Sequence, residues 1–237
     1  MKTVKNQRYI SVIYNETTRP LTSYPQSLAR HLFKKYGLKK NTKLLDIGCG
    51  RGEFLRGFIE CGVNGYGVDL SLAAERYCPN AVLKIADLEN EPIPYDDNTF
   101  DVVYSKSVIE HFYRPEILVN EMHRVLKPGG LAITLCPDWY FNYRIYFEDF
   151  THRTPFMRSS LRDIQMMHGF ENVEVGLFRQ LPLLWKHPWL MPAAELTRLI
   201  APDCLKPHSK WVRFSKEIML LSVARKPAMS DGTPERS

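Results

Sequence analysis

One short stretch of the sequence concentrates the residue types that build a ligand-binding turn: Leu44-Leu45-Asp46-Ile47-Gly48-Cys49-Gly50-Arg51-Gly52. An apolar run enters an aspartate and then three glycines on alternate positions. Glycine lets a backbone come close to a ligand where any side chain would block it. A strand, a glycine loop and a following helix place backbone N–H groups and the positive helix end beside that ligand. A dinucleotide fingerprint asks for a further glycine at position 53, under the pyrophosphate. Glu53 stands there instead. A carboxylate at that point repels phosphate, so the loop suits a ligand with no phosphates and one cationic end. Asp69 lies about twenty residues further on, the spacing at which an acid accepts hydrogen bonds from both hydroxyls of a ribose. Asp87 is placed to accept from an adenine amino group. Asp46, at the base of the loop, is expected to order the loop amides and face the cationic end. Singly, each aspartate reads equally well as a turn or helix-cap residue. Three in the same position after successive strands point to one site.

The elements that must hold these residues follow from the hydrophobic pattern. Between Lys43 and Cys136, short apolar runs alternate with amphipathic segments, the rhythm of βα units on a parallel sheet. Strands are predicted at 43–48, 65–69, 81–85, 100–105 and 131–136. Helices are predicted at 53–60, 71–77 and 115–126, the last stopped by Lys127-Pro128-Gly129-Gly130. A helix near 22–38 leads into the first strand. Beyond Cys136 come an aromatic, polar stretch at 138–157, a helix near 159–168, and strands near 171–178 and 216–225. Residues 179–214 are long for a plain connection and carry Trp185, Trp189 and Trp211. A single domain over 1–226 is expected, with 179–214 as a cap insertion and 227–237 as a disordered, polar tail.

Taken together, LLDIGCGRGEF, Asp69 at the end of GYGVDLS, IADLENEPIPYDDNTFDVVYSKSVIEHF (85–112) and HRVLKPGG (123–130) resemble the class I S-adenosylmethionine (SAM)-dependent methyltransferases of the small-molecule and glycan group. The resemblance covers about residues 40 to 136. It implies a Rossmann-like, doubly wound α/β sheet of seven strands, with Glu217 to Arg225 inserted as the antiparallel one. It also implies SAM as cofactor, contacted by Asp46, Gly48, Cys49, Gly50, Gly52, Asp69, Leu70, Asp87, Leu88 and Ser105.

Methyl transfer is an in-line displacement at an already electrophilic sulfonium carbon, so alignment and exclusion of water are the main demands. A base is needed only when the acceptor must lose a proton. Glu110-His111 follows the fourth strand, and imidazole is well matched to proton removal near neutral pH. The segment Asp149-Phe150-Thr151-His152-Arg153-Thr154-Pro155-Phe156 resembles a D-x-T-H-x-x-P-[FY] stretch of glycan-modifying methyltransferases, which makes His152 a second candidate. Either histidine reads equally as a packing or loop-ordering residue. Small-RNA 2′-O-methyltransferases carry an E-x-x-E-H metal set at this place. With a further histidine downstream that set has four members, of which Glu110, His111 and His152 match three, but Ser107 replaces the first carboxylate, so no metal is expected.

O-methylation of a sugar, glycan or polar small molecule is the expected activity. Nitrogen or carbon acceptors, a lipid-linked acceptor, and a SAM-binding protein without catalysis stay open. The net charge of +6 arises from scattered residues, which mildly favours an acidic acceptor. No arginine-rich or RNA-module pattern is present, so no nucleic-acid partner is expected. Residues 181–191 mix aromatics with a basic pair, and are expected either to pack as part of the cap or to rest peripherally on a membrane. Five cysteines, none as C-x-x-C, and an N-terminus without an apolar core point to the cytoplasm.

Overall fold

The computed structural model describes residues 20–228. The expectations that fall on residues 1–19 and on residues 229–237 of the tail lie outside them. A helix α1 (Tyr24–Lys35) opens the described chain, with Pro25 in its first turn and Lys34 and Lys35 in its last. Both suit their ends, since proline fits where the N–H is orphaned and cations favour the negative C-terminus. Five strands follow, β1 (Lys43–Ile47), β2 (Asn64–Asp69), β3 (Val82–Ile85), β4 (Phe100–Lys106) and β5 (Leu126–Pro137), with α2 (Glu53–Ile59) and α3 (Pro115–Val125) between them. Short α4 (Trp139–Asn142), then α5 (Arg158–Met167) and β6 (Glu171–Phe178), lead to α6 (Pro182–Lys186), α7 (Met191–Ile200), α8 (Lys210–Lys216) and β7 (Met219–Arg225).

The sheet order is β3-β2-β1-β4-β5-β7-β6. β1 to β5 run parallel, while β7 is antiparallel to both of its neighbours, β5 and β6. The seven-stranded sheet with a reversed strand is therefore as expected. One face is covered by α1 and α2 through Leu28, Leu32, Leu55 and Phe58. The other is covered by α3 and α5 through Leu118, Val119, Met122 and Leu161. Burial on both faces is why the central strands read as unbroken apolar runs.

From β1 the chain winds outward to β2 and β3, then returns past β1 to β4. This reversal opens a crevice at the carboxyl ends of β1 and β4, the usual ligand position in such sheets. Ile47 pairs with Ser105, so the glycine loop and the end of β4 stand level on either side of it.

Three expectations need correction. The helix at 71–77 is only a 3₁₀ turn, Ala73–Arg76, because Pro79 follows too closely for a helix to repay its nucleation. The stop at 127–130 is a bulge inside β5: Leu126 pairs with Phe100 and Leu131 with Val102, so Lys127–Gly130 loop out between them. The last strand begins at Met219, not 216 or Glu217, because α8 runs to Lys216 with Ser209 Oγ accepting from the Val212 amide at its start.

Residues 179–214 fold as helices with a small core of their own, Leu181, Leu184 and Ala194 against Leu190, Trp211 and Phe214. Trp185 packs back onto the main domain, stacked 4.7 Å from His31 and 5.3 Å from Phe178. Trp189, Leu183 and Met191 are the exposed apolar residues of 181–191. No helix among the described residues is long and apolar enough to cross a membrane.

Candidate active site

Gly48, Gly50 and Gly52 all have positive φ, between 53° and 77°, so the loop needs the left-handed conformations that other residues pay strain to adopt. Their surroundings differ. A Cβ on Gly48 would lie 2.4 Å from Val108 Cγ2, and one on Gly52 2.8 Å from Cys78 Sγ, but one on Gly50 would meet nothing within 4 Å. Gly50 therefore borders open space at the crevice.

The loop does not present its amides to a ligand as the sequence suggested. Gly48 and Cys49 donate to Val68 O at 2.8 and 3.3 Å, Gly52 to Cys49 O at 2.7 Å, and Gly50 to Asp69 Oδ2 at 2.9 Å. Internal bonding closes the turn and leaves no ready phosphate cradle. Glu53 is paired with Arg51 at 2.8 Å, so its repulsion of a phosphate is weaker than its charge alone implies. The satisfied amides are the stronger argument against a dinucleotide.

The loop-ordering task expected of Asp46 falls to Asp69, which accepts from Gly50 and, at 3.3 Å, from Ser71 N. Each carboxylate oxygen of Asp69 keeps a lone pair for a further donor. Burial raises the Asp69 carboxyl above its ordinary range, against the pull of these amides. Asp46 is buried on β1, and burial together with the charge of Asp69 pushes its carboxyl well up, while the Leu55 amide and Lys106 pull it down. Cys49 is buried, with its thiol raised by burial and by both aspartates. Leu70 is exposed at the end of β2. Asp87 accepts from Asn90 Nδ2 at 2.9 Å, one strand further out, with Leu88 buried beside it. Ser105 is buried, and its Oγ has no hydrogen-bond partner among the described residues.

The two histidines meet on the other side of the crevice, with ring centroids 4.9 Å apart. Three hydrogen bonds clamp residues 153–154 to the turn after β4: Arg153 N and Thr154 N donate to Glu110 O at 2.7 and 3.1 Å, and Thr154 Oγ1 to Phe112 O at 2.7 Å. The Thr154 hydroxyl bond alone closes a sequence separation of 42 residues. Thr151 Oγ1 has one proton, directed to Asp149 Oδ1 at 2.5 Å, so its oxygen accepts from Nδ1–H of His111 at 3.0 Å. His152 Nδ1 faces Tyr146 O at 2.6 Å, and a carbonyl only accepts. In the neutral form each ring therefore carries its proton on Nδ1 and has none on Nε2, and Nε2 of His152 lies 4.0 Å from Asp149 Oδ2.

Burial lowers the His111 imidazole below its ordinary range, helped by His152 and Arg153 and opposed by Asp149 and Thr151. Burial alone would raise the Asp149 carboxyl, but two hydrogen bonds from Thr151 and the nearby histidines hold it below the usual range. Glu110 is almost completely buried, and neither carboxylate oxygen has a hydrogen-bond partner among the described residues. Its carboxyl is pushed up to about 8 by burial. Glu110, His111 and His152 each offer one ligand atom within 4.8 Å of the others. These are the residues, among those described, whose placement suits a metal ion.

A cleft of about 160 Å³ opens beside the pair, lined by His152, Lys106 and Ser107 together with Tyr146, Gln180 and Glu217. Gln180 and Glu217 are the two roots of the helical insertion. Sequence reasoning missed Lys106, Tyr146 and the Asp149–Thr151 support. The Asp-x-Thr spacing of an Asx turn was a legible sign of the last, since Thr151 N also donates to Asp149 at 3.0 Å.

The methyltransferase domain family matches residues 45–134, from β1 into β5. A sterol 24-C-methyltransferase of Schizosaccharomyces pombe is 34% identical over 122 residues, 46% of this chain and 32% of its own length. Phosphoethanolamine N-methyltransferase 2 of Caenorhabditis elegans is 30% identical over 156 residues, 60% of this chain and 36% of its own. The chain thus spans about a third of the length of the curated relatives it matches. Among solved structures, a methyltransferase in complex with the Haloferax volcanii activator Trm112 superposes with a TM-score of 0.71 at 19% identity, over 98% of this chain and all of that one (100%). Haemonchus contortus phosphoethanolamine N-methyltransferase 2, solved with SAM, gives 0.65 at 20% identity over 94% of this chain and 60% of its own. Such identities speak for the fold. Residues 45–134 thus match the methyltransferase domain family, and the sheet built around them has the fold of these solved methyltransferases, one of which holds SAM.

Proposed function

We propose that this chain moves the methyl group of SAM to a hydroxyl of a small polar acceptor such as a sugar or glycan. The cofactor lies across the crevice, its ribose on Asp69, its adenine beside Leu70, Asp87 and Leu88, and its methionine end over Gly48, Gly50 and Gly52 toward Asp46. The acceptor enters the cleft beside His152, beneath the helical insertion, which acts as its cap within a single domain. The acceptor oxygen attacks the methyl carbon, the carbon–sulfur bond breaks with its electron pair passing to sulfur, and the cofactor leaves as a neutral thioether. The hydroxyl proton is given up at the His111–His152 pair.

The observation that carries this reading is the pair itself. Both rings have Nδ1 engaged and Nε2 bare, an arrangement that an acceptor needing no deprotonation does not require. The test is His111→Ala and His152→Ala, each assayed for SAM binding and for turnover on hydroxyl acceptors across about pH 5 to 8. Turnover is expected to fall while SAM affinity holds. If both variants stay within about threefold of the parent with the same pH profile, the pair does not deprotonate the acceptor.

An amine acceptor is the second reading, favoured by the likeness to phosphoethanolamine N-methyltransferases in sequence and in fold. An amine arriving unprotonated needs only alignment, so the same two variants separate the readings.

A further inference from the structure

We propose that Glu110, His111 and His152 form a binding site for one divalent first-row transition-metal ion of the Zn²⁺ type, with an open coordination position toward the cleft. The sequence argued the other way, because Ser107 stands where a fourth ligand was wanted. The geometry answers that objection: three protein ligands and one open position are what a reactive zinc centre uses, whereas four close it.

Four observations converge. One ligand atom from each of the three residues lies within 4.8 Å of the others. Around an ion bound at about 2.1 Å, tetrahedral ligands sit roughly 3.4 Å apart, so side-chain adjustment alone closes the set. The Glu110 carboxylate is buried with both oxygens unpartnered among the described residues. An unpaired buried carboxylate is costly, and it is relieved either by taking up a proton or by a cation. Each histidine donates its Nδ1 proton away from the cluster, His111 to Thr151, itself held by Asp149, and His152 to Tyr146 O. Orientation of a ligating imidazole through its other nitrogen by a carboxylate-linked group or a carbonyl is the usual support of a metal site. Finally, His152 lines the cleft while Glu110 lies behind it, so an ion between them has protein on one side and acceptor space on the other. Two imidazoles with one carboxylate suit Zn²⁺, Co²⁺ or Fe²⁺ better than the hard ions Mg²⁺ and Ca²⁺.

This rests on the reading that the pair faces the acceptor; with the ion bound, Nε2 of each ring would ligate it, and the hydroxyl would lose its proton to solvent because the ion lowers its pKa, in place of transfer to a ring. The test uses the full chain, stripped with a chelator and titrated with Zn²⁺ by calorimetry, and with Co²⁺ followed by its visible absorption. One ion per chain is expected. Glu110→Gln and His152→Ala should each weaken binding at least tenfold, and Thr151→Val, which touches no ion, by about tenfold through the freed His111 ring. His152 lines the cleft, where truncation leaves open space and not a sealed cavity, so His152→Ala keeps the test decisive if Glu110→Gln does not fold. A parent that takes up no ion, or variants that bind as tightly as the parent, overturns the site. If no ion binds yet His111→Ala and His152→Ala still lose turnover, the site falls and the acceptor reading stands. If the ion binds as described while His152→Ala turns over normally, the site stands and the acceptor reading falls.

Discussion

The two sides of the crevice are built on opposite terms. On the β1–β2 side, the amides of Gly48, Gly50 and Gly52 are satisfied from within, by Val68, Asp69 and Cys49, and of the three only Gly50 borders empty space. On the β4–β5 side, Glu110 carries two buried oxygens without partners among the described residues, Ser105 Oγ a third, and two imidazoles hold out bare nitrogens. The first side is a finished surface that a ligand settles onto. The second holds buried polar groups that no other described residue satisfies. Rigid, self-satisfied backbone suits a cofactor common to many enzymes, and unsatisfied side chains suit the chemistry of one acceptor.

The contrast is broken most forcefully at the histidine pair. His152→Ala is expected to lower turnover by about 10² to 10⁴, the usual worth of general acid–base help, with SAM affinity nearly unchanged. A matching loss of SAM binding would mean that the two sides are not separable.

Gly48→Ala should cost about 2–5 kcal/mol of folding stability, from the left-handed φ and from a Cβ pressed against Val108. Denaturant melts check it. Adding Val108→Ala should restore the packing part and leave about 1–2 kcal/mol of backbone strain.

Asp69→Ala should weaken SAM by about 2–3 kcal/mol, since a charged acceptor of ribose hydrogen bonds is lost. Calorimetry showing an unchanged dissociation constant would place the ribose elsewhere. Gly50→Ala sharpens the comparison further. It meets no clash, so stability should drop by only about 1–2 kcal/mol, yet the new methyl enters the space assigned to the cofactor and SAM binding should suffer.

The smallest effect is one of pH. Burial raises the Asp69 carboxyl, so its charged, accepting form is lost on acidification earlier than for an ordinary aspartate. SAM affinity should therefore be flat near neutrality and begin to fall above the normal carboxylate range. A decline that starts only below an ordinary aspartate's pKa of about 3.9 would show Asp69 unperturbed or uninvolved.

What the sequence determined by itself was whatever depends on local backbone and on pattern. The glycine loop, the acid closing β2, the alternation of strands and helices, and the reversed last strand by resemblance were all legible, because φ requirements and two-sided burial leave their mark residue by residue. Its failures were also local: the 71–77 helix, cut short by Pro79, and the start of β7, displaced by α8. The tertiary structure alone decided which groups face each other. Asp46 and Asp69 have the same sequence logic, yet only register puts Asp69, and not Asp46, against the Gly50 amide. Glu110 and His152 are separated by α3, the bulged strand β5, short α4 and a turn, and are brought together by hydrogen bonds from Arg153 and Thr154 to Glu110 O that no spacing encodes. Long-range meeting of side chains is a property of packing, and packing is what brings one ligand atom each of Glu110, His111 and His152 within 4.8 Å of the others.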